Sequence, residues 1–215
     1  MKRTLLLGGA LAALAYAAHV VIGGLLWAGY SHLMQPISDL TATGAPDRGL
    51  LQTILYAYSA FALVFGVAGI GRLRGLGLKT AAWGMVLYVA MQLVSLSYAF
   101  FPEDLPGSAL TFLGTMHLVV TGIIVPFTIG APVVTGLGMR KAAGLARAGW
   151  FSVACGILVF FAGGASALFF ARKLPFFGLV ERINIGTLQA WTFVLSVVLY
   201  RHARPGVADG GKDPS

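Results

Sequence analysis

Residues 4–30 read TLLLGGALAALAYAAHVVIGGLLWAGY, a run without a single Asp, Glu, Lys or Arg, set behind Lys2-Arg3. About twenty mainly apolar residues in a helix cross the roughly 30 Å of hydrocarbon in a bilayer, so this run is long enough to span one. Ala15-Tyr16-Ala17 imitates a signal-peptidase site. Apolar sequence nevertheless continues unbroken to Tyr30, and the run reads as a retained helix rather than a cleaved leader.

Five further stretches meet the same requirement, roughly Leu50 to Ile70, Thr80 to Phe101, Ala109 to Gly130, Gly149 to Ala171 and Ile183 to Tyr200. The composition agrees, with 58% hydrophobic and only 10% charged residues, against about a quarter charged in soluble domains. The expected fold is all-α: one polytopic membrane bundle of six transmembrane helices over residues 1–202. Residues 203–215, rich in Gly, Pro, Asp and Lys, lack the apolar side chains that offset ordering entropy and read as a disordered tail.

Charge orders the loops. Eleven of the 15 Lys and Arg residues lie in alternate connections or at the two ends, whereas five of the 7 acids lie in the remaining connections. Basic loops face the cytoplasm, which places both termini inside a bacterial-type plasma membrane and leaves Asp39, Asp47, Glu103, Asp104 and Glu181 outside. The net charge of +8 is read as this topology signal plus contacts with anionic lipid, not as nucleic-acid binding. Membrane lipids are thus the expected partners. The single cysteine, Cys155, excludes an intramolecular disulfide and any Cys-based zinc cluster. No P-loop, Rossmann fingerprint, Gly-x-Ser-x-Gly elbow or His-Glu-x-x-His helix is present, so ATP-driven transport and familiar hydrolase chemistry lose support. Glycines within the spans, such as Gly23-Gly24 and Gly163-Gly164, read as close helix contacts.

The first outer connection, Tyr30 to Asp47, carries the densest polar sequence. Pro36 is expected to stop the first helix. Ser38, Asp39, Thr41 and Thr43 suit local backbone bonds, with Thr43 or Asp47 as a cap for the second helix. Alternatively, Asp39 leans into the mouth of the bundle, where a carboxylate needs a partner. The turn Phe101-Pro102-Glu103-Asp104 follows the third span, and His117 lies about 12 Å inside the fourth if that helix starts near Ala109. Arg172-Lys173-Leu174-Pro175 ends the fifth span and Glu181-Arg182 opens the sixth. Glu181 suits a helix N-terminus and Arg182 does not, which makes Asp39 a reasonable partner for Arg182. Asn184 and Thr187 share a helical face and suit interhelical hydrogen bonds.

The Pro36-Ile37-Ser38-Asp39-Leu40 motif, the Phe101-Pro102-Glu103-Asp104 turn, His117 and Glu181-Arg182, in this order, resemble the six-helix integral-membrane family called domain of unknown function nine-nine-eight. The resemblance covers nearly the whole chain. A more distant likeness is to the DRAM and GPI-remodelling membrane families, which carry a similar Ile-Ser-Asp element and a His near their fourth helix. What the first resemblance implies is a fold and the positions of a site, not a reaction.

Two function classes follow from the residues. In one, the outer cluster binds, senses or moves a lipid or small amphipathic molecule, with Arg182, Arg172 and Lys173 holding a phosphate and Glu181, Glu103, Asp104 and Asn184 completing the site. Trp27, Tyr30, Phe100, Phe101, Phe176 and Phe177 would line its interface or form an ordinary aromatic belt. In the other, Asp39 and His117 activate water, or Ser38 acts as a nucleophile with His117 as base, in an intramembrane hydrolase of a lipid ester or amide. A metal in such a site would sit on Asp39, His117 and Glu181. A minor third reading is haem between His19 and His117, although His19 is better read as a packing residue satisfied by a backbone carbonyl.

Overall fold

The computed structural model describes residues 2–203, so the expected disordered tail, apart from Ala203, lies outside the described residues. Ala203 itself is the turn that closes the last helix. The chain forms α1 (Gly8–Leu26, preceded by a 3-10 stretch, Arg3–Leu7), α2 (Arg48–Gly75) and α3 (Lys79–Ser95, continued by a 3-10 stretch, Leu96–Ala99). α4 (Phe112–Met139), α5 (Ala146–Arg172) and α6 (Phe177–His202) follow. All six are long and apolar enough to cross a membrane. Helices suit such spans because they satisfy every backbone amide internally where no water can.

The spans are where the sequence puts them, but their ends differ. α1 stops at Leu26, ten residues before Pro36, at a turn through Gly29 with φ +82°. α4 runs from Phe112 to Met139 rather than from Ala109 to Gly130 and carries Pro126 and Pro132 inside it. α6 begins at Phe177 rather than Ile183, which puts Glu181 and Arg182 in its second turn. Apolarity marks where a chain can sit in hydrocarbon, whereas a helix continues for as long as its hydrogen bonds do. Neither expected cap closes α2: Asp47 holds the N-cap position at φ 52° and contributes no side-chain cap bond.

Each helix packs on its neighbours in sequence, and α6 returns to α1, closing a six-membered ring. α6 also reaches α2 and α4, so it leans across the interior. The centre is aromatic. Phe65, Tyr88 and Trp191 are fully buried, with ring centroids 5.8 Å (Phe65–Tyr88) and 5.7 Å (Tyr88–Trp191) apart in edge-on pairs. Trp191 Nε1 also donates to Ser152 Oγ of α5 at 2.9 Å, giving the buried indole a partner. Close approach elsewhere depends on missing side chains: a Cβ on Gly84 of α3 would run into Thr135 of α4. Large apolar side chains such as Leu25, Trp83 and Phe161 are left exposed, the reverse of a water-soluble surface.

Acids and bases separate along the bundle. One end carries residues 27–47, 100–111 and 173–176, with Asp39, Asp47, Glu103 and Asp104, and is called the acidic end below. The basic end carries Lys2, Arg3, Arg72, Arg74, Lys79, Arg140, Lys141 and Arg147. There Arg72 Nη2 donates to the His202 carbonyl at 2.7 Å, tying α2 to α6.

Candidate functional site

The connection between α1 and α2 folds back over the start of α6. Helix N-termini leave their first N–H groups without intrahelical acceptors. Here the loop supplies them: Leu179 N donates to Leu33 O at 3.0 Å and Gly178 N to Met34 O at 3.3 Å. Glu181 Oε2 accepts the Ile37 amide at 2.6 Å. Gly178 permits the approach, since a Cβ there would collide with the Gln35 carbonyl.

Arg182 is not paired with Asp39. Its Nη1 donates to Gln35 O at 2.7 Å and to Gly178 O at 2.9 Å, and its Nη2 donates to Tyr30 Oη at 2.6 Å. Tyr30 in turn donates to Pro36 O at 2.6 Å. Burial holds the Tyr30 phenol up at about 12, so it keeps the proton it donates. Arg182 therefore clasps the loop through the Gln35 carbonyl and the Tyr30 phenol while also bonding Gly178 O of its own helix, and its Nε is buried without a partner.

Asp39 sits in a 3-10 turn, Ser38–Thr41, at 1% exposure. Its Oδ2 receives a long contact from Gln35 Nε2, at 3.4 Å. Burial pushes its carboxyl up to about 7, with Glu103 adding to the rise and Gln35 and Arg182 opposing it. Glu103 is raised as well, by burial first and by Asp104, against a hydrogen bond from Ser38. Its Oε2 is buried without a partner, while its backbone carbonyl accepts Thr43 N at 2.9 Å. Ser38, Asp39, Glu103, Glu181 and Arg182 thus share one end of the bundle, linked by hydrogen bonds or by charge.

The other expected site residues stand apart in role. Asp104 accepts Thr111 N at 2.7 Å and Thr111 Oγ1 at 2.8 Å, which fixes Thr111 as the cap of α4. His117, about 8 Å into α4 by helical rise, places Nδ1 3.0 Å from Phe101 O and its ring 4.6 Å from that of Tyr98. Asn184 donates to Val159 O of α5 at 3.2 Å, whereas Thr187 bonds back to Ile183 O of its own helix at 2.6 Å. Arg172 and Lys173 are exposed at the end of α5. Among the described residues no group of three or more His, Cys, Asp and Glu side chains could hold a metal ion, so Asp39, His117 and Glu181 are not a ligand set. His19 departs from its expectation too: it is 1% exposed and both ring nitrogens lack a partner. α1 and α4, which carry His19 and His117, are opposite members of the ring.

Beside this cluster runs a groove of about 330 Å³ between α1 and α6. Ala13, Tyr16, Ala17, Val20 and Val21 line one wall and Ile185, Gly186 and Gln189 the other, with Ile37 and Arg182 nearest the acidic end. It is a groove open to one side rather than an enclosed cavity, with a volume at the lower end of the range of about 300–1,000 Å³ usual for small-molecule sites. Sequence reasoning did not single out Tyr16, Gln35 or Gln189, and it read Tyr30 only as an interface aromatic. Gln189 had a visible signal, an amide inside an apolar span, while the others draw their roles from tertiary contacts.

No curated protein and no solved structure matches the chain. The model of the family described as protein of unknown function (DUF998) matches residues 10–198, which take in all six helices of the ring except the start of α1 and the end of α6. The chain is an integral membrane protein that belongs to this family.

Proposed function

We propose that the protein binds a single amphipathic molecule from the membrane, with its hydrocarbon chain in the α1–α6 groove and its polar head at the acidic end. The groove carries the reading. It lies within two membrane spans, so the molecules that can enter it are those dissolved in lipid. Its walls are almost wholly apolar, with polar groups at Arg182, Gln189 and Tyr16.

The charges at the acidic end argue for a neutral or cationic head. Arg182 spends both terminal nitrogens on the loop, and the carboxyl groups of Asp39, Glu103 and Glu181 lie within electrostatic reach of one another. A phosphate beside Arg182 would meet the carboxyl groups of Asp39, Glu103 and Glu181, and the exposed cations Arg172 and Lys173 are not among the groove's lining. In the same proposal the acidic end faces outward and both termini face the cytoplasm of a cell with a bacterial-type plasma membrane, following the basic loops. Hydrolysis has less behind it: Ser38 bonds Glu103 and His117 rests on Phe101 O, so no nucleophile–base pair supports it.

Gly186→Phe tests the proposal. Gly186 lines the groove and a Cβ there meets no atom within 4 Å, so a ring is expected to occupy groove space. Native mass spectrometry of gently purified wild type is expected to show one retained lipid-soluble species, lost in the variant while its melting temperature holds. No retained species, or one kept equally by the variant, contradicts the proposal.

A further inference from the structure

Below the clasp, three helices bring polar side chains together inside the bundle. Tyr58 of α2 lies about 15 Å from the acidic end of its helix and Gln189 about 18 Å along α6 at 1.5 Å per residue, near the middle of the hydrocarbon layer. Gln92 Nε2 of α3 donates to Tyr58 Oη at 3.0 Å, and Gln189 Nε2 donates to the same oxygen at 3.2 Å. Gln92 is 1% exposed. Both amide oxygens, Gln92 Oε1 and Gln189 Oε1, are buried without a partner, and the hydroxyl of the fully buried Tyr88 lies beside Gln92 and Thr192.

Turning an amide over does not close this network. If either Gln presents its oxygen to Tyr58, the phenol gains an acceptor, but an N–H is stranded where the C=O had been. Among these three side chains one acceptor and one donor then remain unpaired. Stranded polar groups in hydrocarbon are costly because no water reaches them. The network therefore suits a guest that donates and accepts through one neutral atom, which is a hydroxyl group. The groove meets this network at Gln189, which lines it together with Tyr16, and the Tyr16 ring lies edge-on against Tyr58 at 5.1 Å.

We infer that Tyr58, Gln92 and Gln189 form an inner subsite for a neutral hydroxyl group, supplied by a hydroxylated hydrocarbon chain in the groove or by a water molecule. The chain source rests on the proposed groove reading. Arg182 and Gln189, two turns apart on α6, then mark the head and the hydroxyl of one ligand about 10 Å apart.

Binding of methyl 10-hydroxystearate and methyl stearate to the detergent-purified full chain tests this, together with the infrared O–H stretch of internal water identified by its shift in water labelled with oxygen-18. Wild type is expected to bind the hydroxylated ester about tenfold tighter. Gln92→Leu and Gln189→Leu should each bring that ratio to one while binding of methyl stearate persists, which also shows that the variants are folded. Tyr58→Phe, which keeps the ring, provides the same test should a Leu variant fail to fold. Equal binding of both esters by wild type, with a water band that disappears in the Gln variants, supports the subsite with water as its guest. Equal binding without such a band overturns the subsite and leaves the groove standing. If neither ester binds, the groove reading fails; a missing water band in that case removes the subsite as well.

Discussion

Arg182 Nη1 donates to the backbone carbonyl of Gln35 at 2.7 Å, so a residue of α6 holds down the loop that leaves α1. The same guanidinium reaches Gly178 O and Tyr30 Oη, and Glu181 takes the Ile37 amide. The ring of helices is thereby fastened at its α1–α6 seam, beside the groove.

Arg182→Lys should loosen that fastening although it keeps the charge. An ammonium cannot serve three acceptors in the geometry of a planar fork, and a hydrogen bond from a charged donor contributes about 1.5–3 kcal/mol. A lower melting temperature in detergent and faster proteolysis between Tyr30 and Asp47 are expected. Unchanged values for both would remove the clasp from the account. Gly178→Ala, whose methyl meets the Gln35 carbonyl, should act in the same direction by about 1–3 kcal/mol.

Asp39 gives stability a pH dependence of definite sign. Its carboxyl is raised from 3.8 to about 7, chiefly by burial, so the folded state holds a proton that the unfolded chain has released. Its contribution to stability should be greatest below pH 4 and fall as pH rises to about 7, by roughly 1.4 kcal/mol for each pH unit crossed. Glu103, raised in the same direction, adds to the slope, and Arg182 moderates it. Denaturation of Asp39→Asn across this range should show a shallower fall than wild type. An equal or steeper fall contradicts the assignment.

His19→Leu should stabilise the protein. Both imidazole nitrogens are buried without partners, and replacing such a group with an apolar side chain of similar bulk removes a desolvation cost of about 1–3 kcal/mol. The packing against Tyr16, with centroids 5.8 Å apart, opposes part of the gain. A raised melting temperature is the expected readout; a clear drop would mean that His19 serves a bonded role.

Orientation can be read by chemical labelling. Cys155 is buried at 7% exposure and contributes little background. Ser108→Cys, at the exposed acidic end, should react with an impermeant maleimide on intact cells, whereas Lys141→Cys should react only after permeabilisation. The reverse pattern would invert the proposed topology.

The spans were legible because a bilayer demands long apolar runs whatever their tertiary contacts, and the charge pattern sorted the connections into two ends. Arg182 shows where such reading stops. Its charge suggested an acidic partner, but its partners are backbone carbonyls and a phenol, and every residue carries a carbonyl. Gly178 was the local clue, because only a residue without a side chain admits Gln35 so closely. Asp104 and Asn184 stood out as polar, yet their bonds to Thr111 and Val159 depend on packing that no local pattern encodes. Gln92 and Gln189 were visible as amides in apolar runs; that they converge on Tyr58 follows only from the ring.

The α1–α6 groove is tested most directly by placing a photoreactive benzoylphenylalanine at Val21, on its rim, and at Leu158, on the lipid-facing side of α5 at 47% exposure. After irradiation in native membranes, the account predicts one lipid-soluble species enriched on the Val21 variant and a bulk lipid mixture on the Leu158 variant. The same bulk mixture at both positions would contradict a dedicated ligand in the groove.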